Sequence, residues 1–327
     1  MISKDKQISL FIYPTYVCLG NCKFCFIDPK LRISKNDLTL NEIKNNVSYF
    51  FRKYLIKDLV LVGGEPLIYK NIIPLMDFLG NNYFQNSKIK SFIIASEALR
   101  CSSDEFINYL SKFFNSDLDF YSAFQISLNN FYPEDKFFKQ RKKAILNLAR
   151  NKFRVRFIPV FTKTNLKAIN DGIEFLTKVF SKYYLNSSFD IFAIEPRLPF
   201  LPNNTKNINN KLFVSHPDYF FKTFNNICNL FFKKNIPFTL RNIPLCYLNK
   251  KHIKNLDTIY KKTNVTRTVV RIDKHHQLNK AMINSYNDNC WSLQKECNNC
   301  YLKDKCNGID IRYIKKFKYP KLKPFSK

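Results

Sequence analysis

The chain has 327 residues, of which 45% are apolar, with 33 Phe and 18 Tyr. That supply of core-forming side chains excludes wholesale disorder and fits two domains, or one large α/β domain with an appendage. Lys and Arg together number 54 against 25 acidic residues, a formal charge of +29. Only twelve are Arg, and the Lys residues are dispersed. The charge therefore reads as a generally basic surface more than a dedicated nucleic-acid patch, although it favours an acidic substrate or an anionic cofactor. No run of about 18 uncharged apolar residues occurs, so no membrane-spanning helix is expected.

A strand–helix alternation opens the chain. Ile8–Val17 reads as a strand. Thr39 and Glu42 form a capping box, followed by Leu40, Ile43, Val47, Phe50 and Tyr54 at helical spacing. Asp58–Val62 is a short apolar strand ending at Gly63–Gly64. A helix with Ile72, Leu75, Met76 and Leu79 follows, then a strand at Ser91–Ala95 and a helix with a capping box at Ser102 and Glu105. Strands at Phe120–Leu128, Val155–Phe161 and Phe189–Ile194 alternate with helices near Phe137–Arg150 and Leu166–Phe180. Six β-α units imply parallel strands with right-handed crossovers, as an open doubly wound sheet or part of a β/α barrel. In either architecture ligands sit at the carboxyl ends of the strands.

After Ile194 the alternation breaks. Pro196, Pro199, Pro202 and Asn203–Asn210 read as a linker. Ser215 is placed to cap a Phe-rich helix through about Phe232, and Phe238–Ile243 reads as a further strand. The last stretch is cysteine-rich and irregular, which suggests a small metal-stapled appendage. The expected division is residues 1–210 and 211–327.

Ten cysteines fall largely into two groups. A secreted disulfide scaffold is short and cysteine-dense; this chain is long, so clustered thiols point to metal or redox chemistry in a reducing, cytoplasmic setting. The basic, apolar N-terminus contains Pro14, lacks a small-x-small cleavage pattern and runs straight into the first cysteines, so it reads as a strand and not a signal peptide. Cys101 and Cys228 read as plain core or near-surface thiols. Of the four histidines, His275 and His276 are adjacent and would point to opposite faces of a strand, so all four, with His216 and His252, read as solvated loop residues.

Cys18, Cys22 and Cys25 form a C-x3-C-x2-C on the loop after the first strand. A structural zinc site wants four protein ligands, whereas three thiolates on a four-iron cubane leave one iron open. A zinc loop with a distant fourth ligand remains the alternative from the residues alone. With Phe24 before the third cysteine, and with Gly63-Gly64-Glu65-Pro66 after the second strand, this loop resembles the signature of the radical S-adenosylmethionine (SAM) superfamily.

The resemblance implies a partial (β/α)6 TIM-like barrel of the α/β class. It implies a [4Fe–4S] cluster on Cys18, Cys22 and Cys25, with SAM chelating the open iron. Reduction of the cluster then yields methionine and a 5′-deoxyadenosyl radical that removes a hydrogen atom from substrate. The protein orients the cofactors and excludes side reactions. Gly63 and Gly64 allow close approach, Glu65 is placed to accept from the SAM ammonium, Pro66 fixes the turn, and Phe24 covers the adenine edge. Ser96, Ser127 and Asn129, at the ends of the third and fourth strands, are weaker candidates for SAM contacts, and Arg197 weaker still.

Cys297-x2-Cys300-x5-Cys306, followed by Asn307-Gly308, resembles the core of the SPASM and twitch extensions that carry auxiliary [4Fe–4S] clusters. Position 310, where the fuller motif has a cysteine, is Asp310, which implies one auxiliary cluster. Its fourth ligand is Cys246, on a rigid Pro-containing approach, or Cys290. The expected substrate is a peptide or protein side chain, with an electron donor such as flavodoxin or ferredoxin. RNA or a small cofactor precursor is the second reading, and a non-catalytic zinc or iron–sulfur module the third.

Overall fold

The computed structural model describes residues 7–20, 22, 25, 27–84, 89–114, 120–162, 164–185, 187, 191–195, 217–240, 243–253, 267–274, 283–286, 291–311, 314 and 325. Six strands alternate with five helices: β1 (Gln7–Ile12), α1 (Leu40–Lys53), β2 (Leu55–Leu61), α2 (Ile72–Leu79), β3 (Ser91–Ser96), α3 (Asp104–Leu110), β4 (Tyr121–Ser127), α4 (Phe138–Arg150), β5 (Val155–Ile158), α5 (Leu166–Val179) and β6 (Phe192–Ile194). Helix α6 (Pro217–Lys233) and strands β7 (Arg267–Ile272) and β8 (Ile283–Tyr286) follow. All strands from β6 to β1 pair in parallel, in the order β6-β5-β4-β3-β2-β1. The expected open α/β architecture, a partial TIM-like barrel, is the one observed.

The sheet is larger than the six expected strands. β7 pairs in parallel with the free edge of β1, and β8 pairs antiparallel with β7. At the other edge, Ile194 makes a parallel bridge to Phe238, with Ile194 N–H donating to Pro237 O (3.0 Å) and Thr239 N–H donating to Ile194 O (3.0 Å). Among the described residues of the expected Phe238–Ile243 strand, Phe238 meets the sheet through this short bridge.

The local physics follows the sequence closely. Thr39 accepts from Glu42 N–H (3.2 Å) while Glu42 accepts from Thr39 N–H (2.7 Å), so the capping box starts α1, which buries Ile43, Val47 and Phe50. α3 is capped one residue later than expected: Ser103, not Ser102, accepts from Phe106 N–H. β1 ends at Ile12, short of the expected Val17, because Pro14 has no N–H to donate.

Alternate strand residues divide between two faces. Leu10, Leu59, Leu61, Phe92, Ile94, Phe124, Ile126 and Phe157 are buried in the main core. The opposite face carries Ser9, Asp58 and Ser91 in register across β1, β2 and β3. There Asp58 accepts from both serine hydroxyls, at 2.6 and 2.8 Å. Phe24, Arg197, Ser215, His216, His275, His276 and Cys290 lie outside the described residues. No helix among the described residues is long and apolar enough to cross a membrane.

Candidate functional site

The site forms at the carboxyl ends of four adjacent strands, β1 to β4. Past Ile12 the chain carries Cys18, Cys22 and Cys25, all half-buried free thiols. This loop does not hang free. Val62 N–H donates to Ile12 O (2.9 Å), Gly64 N–H to Thr15 O (3.0 Å) and Glu65 N–H to Val17 O (2.8 Å). The β1–β2 ladder therefore continues past both strands and clamps the cysteine loop to the Gly63–Gly64 segment.

Both glycines are required by that clamp. Gly63 has φ +140°, and a Cβ there would run into Thr15 O. A Cβ on Gly64 would fall on the carbonyl oxygens of Val17 and Tyr16 and 2.5 Å from the Tyr16 carbonyl carbon. The glycines let two backbones close on each other. Beneath the loop, Tyr13, Tyr16 and Ile27 form a small separate apolar cluster against which Cys25 packs. β7 adds Arg271, whose guanidinium lies 4.1 Å from the Tyr13 ring centre, donates to Tyr16 OH (3.0 Å) and pairs with the buried Asp273 (2.6 Å).

Glu65 is 1% exposed. Its Oε1 accepts from Ser96 Oγ (2.6 Å) and Leu67 N–H (3.1 Å), and its Oε2 accepts from Glu97 N–H (2.6 Å). Ser96 Oγ in turn accepts from Ala98 N–H (2.6 Å). These contacts tie the end of β2 to the end of β3 and give both side chains a framework job inside the protein. Burial outweighs the three donors and pushes the Glu65 carboxyl up to about 7. Pro66 opens the short helical turn Pro66–Ile68 that Glu65 caps. Asn129 is buried, and its Oδ1 accepts from Val160 N–H (2.8 Å), locking the end of β4 to the segment after β5. Ser127, half-buried, ends β4 on the face opposite the helices.

Three residues that sequence reasoning missed stand beside the cysteines. Asn130 Nδ2 donates to Cys22 Sγ (3.5 Å). Arg141 of α4, 1% exposed, donates to Asn130 O (2.7 Å) and pairs with Glu97 (3.0 Å) and Asp135 (3.2 Å). Glu97, 8% exposed, lies against Gly20 in the cysteine loop. A signal for Arg141 existed: within a Lys-rich run it shares its helical phase with the buried Ala144, Ile145 and Leu148. Burial, then the nearby Glu97 charge, pushes the Cys18 thiol up to about 12 and the Cys22 thiol to about 11. The Cys22 charge also raises Cys18, and the Cys25 charge raises Cys22.

A second thiol group is brought together from two distant segments. Cys246, Cys297, Cys300 and Cys306 line one hollow with Pro244, Leu245 and Gly308. Cys306 Sγ accepts from Leu245 N–H (3.4 Å) and Gly308 N–H (3.3 Å). Strands β9 (Trp291–Ser292) and β10 (Ile309–Asp310) pair antiparallel and bracket the segment that carries three of the thiols. Gly308, at φ +79°, approaches Ser292 so closely that a Cβ would strike its carbonyl. Among the described residues, no three His, Cys, Asp or Glu side chains crowd around one point as a single metal ion requires. Burial, then the charges of the other three, pushes the Cys246 thiol up to about 12.

The family model described as the radical SAM superfamily matches residues 12–176, which span both the cysteine loop and the glycine clamp. The chain belongs to the radical SAM superfamily. No curated protein matches it in sequence. Among solved structures, anSMEcpe with bound AdoMet shares 14% identity and a TM-score of 0.64, over 97% of this chain and 88% of that one. SuiB of Streptococcus suis bound to S-adenosylmethionine shares 16% identity and a TM-score of 0.54, over 83% of this chain. The match spans 59% of SuiB, so this chain aligns to about three-fifths of that protein's length. At these identities the likeness is one of fold. Membership of the superfamily implies an enzyme and supports SAM and a [4Fe–4S] cluster as its cofactors.

Proposed function

We propose that this radical SAM enzyme modifies a side chain of a peptide or protein. Its first [4Fe–4S] cluster is held by Cys18, Cys22 and Cys25, and an auxiliary [4Fe–4S] cluster by Cys246, Cys297, Cys300 and Cys306 in a SPASM/twitch-like part. The observation that carries the reading is the pairing of two thiol sets: three on a clamped strand-end loop, and four lining a separate hollow. The donor sets fit the groups. Three thiolates leave one iron of a cubane open to SAM, and four close a second cubane.

The peptide part rests on company. SuiB has been solved bound to the precursor peptide SuiA, and anSMEcpe with AdoMet and the Cp18Cys peptide. When bound, SAM and its cluster supply hydrogen-atom abstraction from an unactivated carbon. The chain's own residues do the rest. The glycine clamp fixes the cysteine loop, and Glu65 and Ser96 hold the strand ends in place. Ser127 is a candidate for SAM contact on the open face, and Asn129 for fixing its approach. Phe24 keeps the role of covering the adenine edge. Residues 1–210 form the catalytic part and 211–327 the part that carries the auxiliary thiols, with flavodoxin or ferredoxin as electron donor and the cytoplasm as the setting.

The test is anaerobic reconstitution of the full chain. The expected result is formation of 5′-deoxyadenosine from SAM under dithionite, abolished by Cys22→Ala. Cys300→Ala is expected to spare that uncoupled cleavage and to impair turnover of a peptide substrate. Failure of the unsubstituted protein to cleave SAM would overturn the reading.

A further inference from the structure

We propose that Asn130 sets the reduction potential of the first cluster by hydrogen-bonding the Cys22 sulfur, and that Arg141 holds it there. The inference rests on the three-thiolate reading of Cys18, Cys22 and Cys25. Asn130 Nδ2 stands 3.5 Å from Cys22 Sγ. A thiolate can only accept, so the amide must face it with N–H. The backbone on either side is fixed. Asn129 is anchored by Val160 N–H at 2.8 Å, and Asn130 O receives the Arg141 Nη1 donor at 2.7 Å. Arg141 is itself immobilised between Glu97 at 3.0 Å and Asp135 at 3.2 Å, with its side chain 1% exposed. The backbone that carries Asn130 is therefore held in a buried network, and from that fixed point its side-chain amide reaches the sulfur.

The electrostatics give the network a purpose. Glu97 is the carboxylate whose charge acts on both Cys18 and Cys22. An added electron places more negative charge on the cluster and its sulfurs, which Glu97 opposes. A donor aimed at one of those sulfurs stabilises the reduced state, and hydrogen bonds to cluster sulfurs are an established lever on potential. Asn130 and Arg141 offset the carboxylate and leave it in place as the partner that orients Arg141. Asn130 is a positioning and tuning residue in this account.

The experiment is a redox titration of the reconstituted full-length protein, following the paramagnetic signal that changes when SAM is added, so that the first cluster is read apart from the other. Asn130→Leu removes the donor, and Asn130→Asp replaces it with a repelling carboxylate of the same shape. With iron content unchanged, Asn130→Leu is expected to lower the reduced-to-oxidised ratio at a fixed potential about tenfold, or about 59 mV for one electron. Asn130→Asp is expected to move it further in the same direction. If the leucine variant does not take up iron, the isosteric aspartate decides. An unchanged potential in a loaded variant would overturn the proposal. Absence of any SAM-responsive signal in the unsubstituted protein would overturn the three-thiolate reading itself, and this role with it.

Discussion

Gly64→Ala is the sharpest test of the clamp that holds the cysteine loop. The added Cβ would collide with the carbonyl oxygens of Val17 and Tyr16, and both are backbone atoms that cannot rotate away. Relief requires the two segments to part. Parting them breaks the Gly64–Thr15 bond at 3.0 Å and the Glu65–Val17 bond at 2.8 Å. Two backbone hydrogen bonds at about 1 kcal/mol each, plus about 1–3 kcal/mol of overpacking strain, give a loss of about 3–5 kcal/mol. Against a total stability of about 5–15 kcal/mol, that is a fall of roughly 5–10 °C in melting temperature for a chain of this size. The assay is thermal unfolding of the metal-free protein, followed by iron counting after anaerobic reconstitution. If the segments part, Cys18 moves with its loop and iron uptake falls as well. A Gly64→Ala protein with unchanged melting temperature and full iron content would refute the reasoning.

Glu65 predicts a pH effect. Its carboxyl is raised to about 7 from an ordinary 4.5, so between those values the folded state binds more protons than the unfolded. Stability should fall as pH rises from about 5 to about 7, by about 3 kcal/mol from this group, and level off above. Urea midpoints across that range check it, and Glu65→Gln should flatten the slope. Arg141→Ala leaves Glu97 buried without its partner and should cost about 3–5 kcal/mol in denaturant unfolding, with Arg141→Lys costing less. On the proposed ligand set, Cys246→Ala leaves the auxiliary cubane on three thiolates with one iron exposed, so the iron count of the reconstituted protein should fall from about eight towards about seven, with faster loss of that cluster to a chelator. An unchanged iron count together with unchanged chelator resistance would remove Cys246 from the ligand set.

The β-α alternation was legible because each unit is local: a capping box, a 3.6-residue apolar phase, then a short apolar run. Thr39 and Glu42 announce α1 without reference to any other part of the chain, and the structure keeps their reciprocal bonds. The site motifs were legible for the same reason, since Cys18 to Cys25 and Gly63 to Pro66 each lie within a few residues. What stayed hidden is non-local. Arg267–Ile272 has a strand-like pattern, but nothing in it says that its partner is β1, some 255 residues earlier for the Tyr16–Arg271 contact. Arg141 sits in a run of like charges whose ordinary reading is a solvated face, and only its helical phase shows otherwise. The framework role of Glu65 was hidden too, because its partners Ser96 and Glu97 lie at and just past the end of the next strand.

The way the sheet edges are closed bears on the division at residue 210. β1 does not pair with β6 to close a barrel; its outer edge is taken by β7, and the outer edge of β6 is met at Phe238. Both edges of the six-strand sheet are thus covered by the second part of the chain. Val270, Ile272, Phe224, Phe231, Phe238 and Leu240 from that part are buried in the main hydrophobic cluster. At about 1.5–3 kcal/mol for each such side chain, their loss approaches or exceeds the whole stability of a typical domain. The loss also leaves Leu10, Ile12 and Ile194 uncovered on strands with unpaired edges, the arrangement that templates aggregation. A fragment of residues 1–210 should therefore be recovered aggregated, while the full chain gives dispersed protein; light scattering and denaturant unfolding on the two make the comparison. A monomeric 1–210 fragment with a cooperative transition would show that the first part needs neither edge contact, and that the second part is a detachable appendage and not the closure of the first.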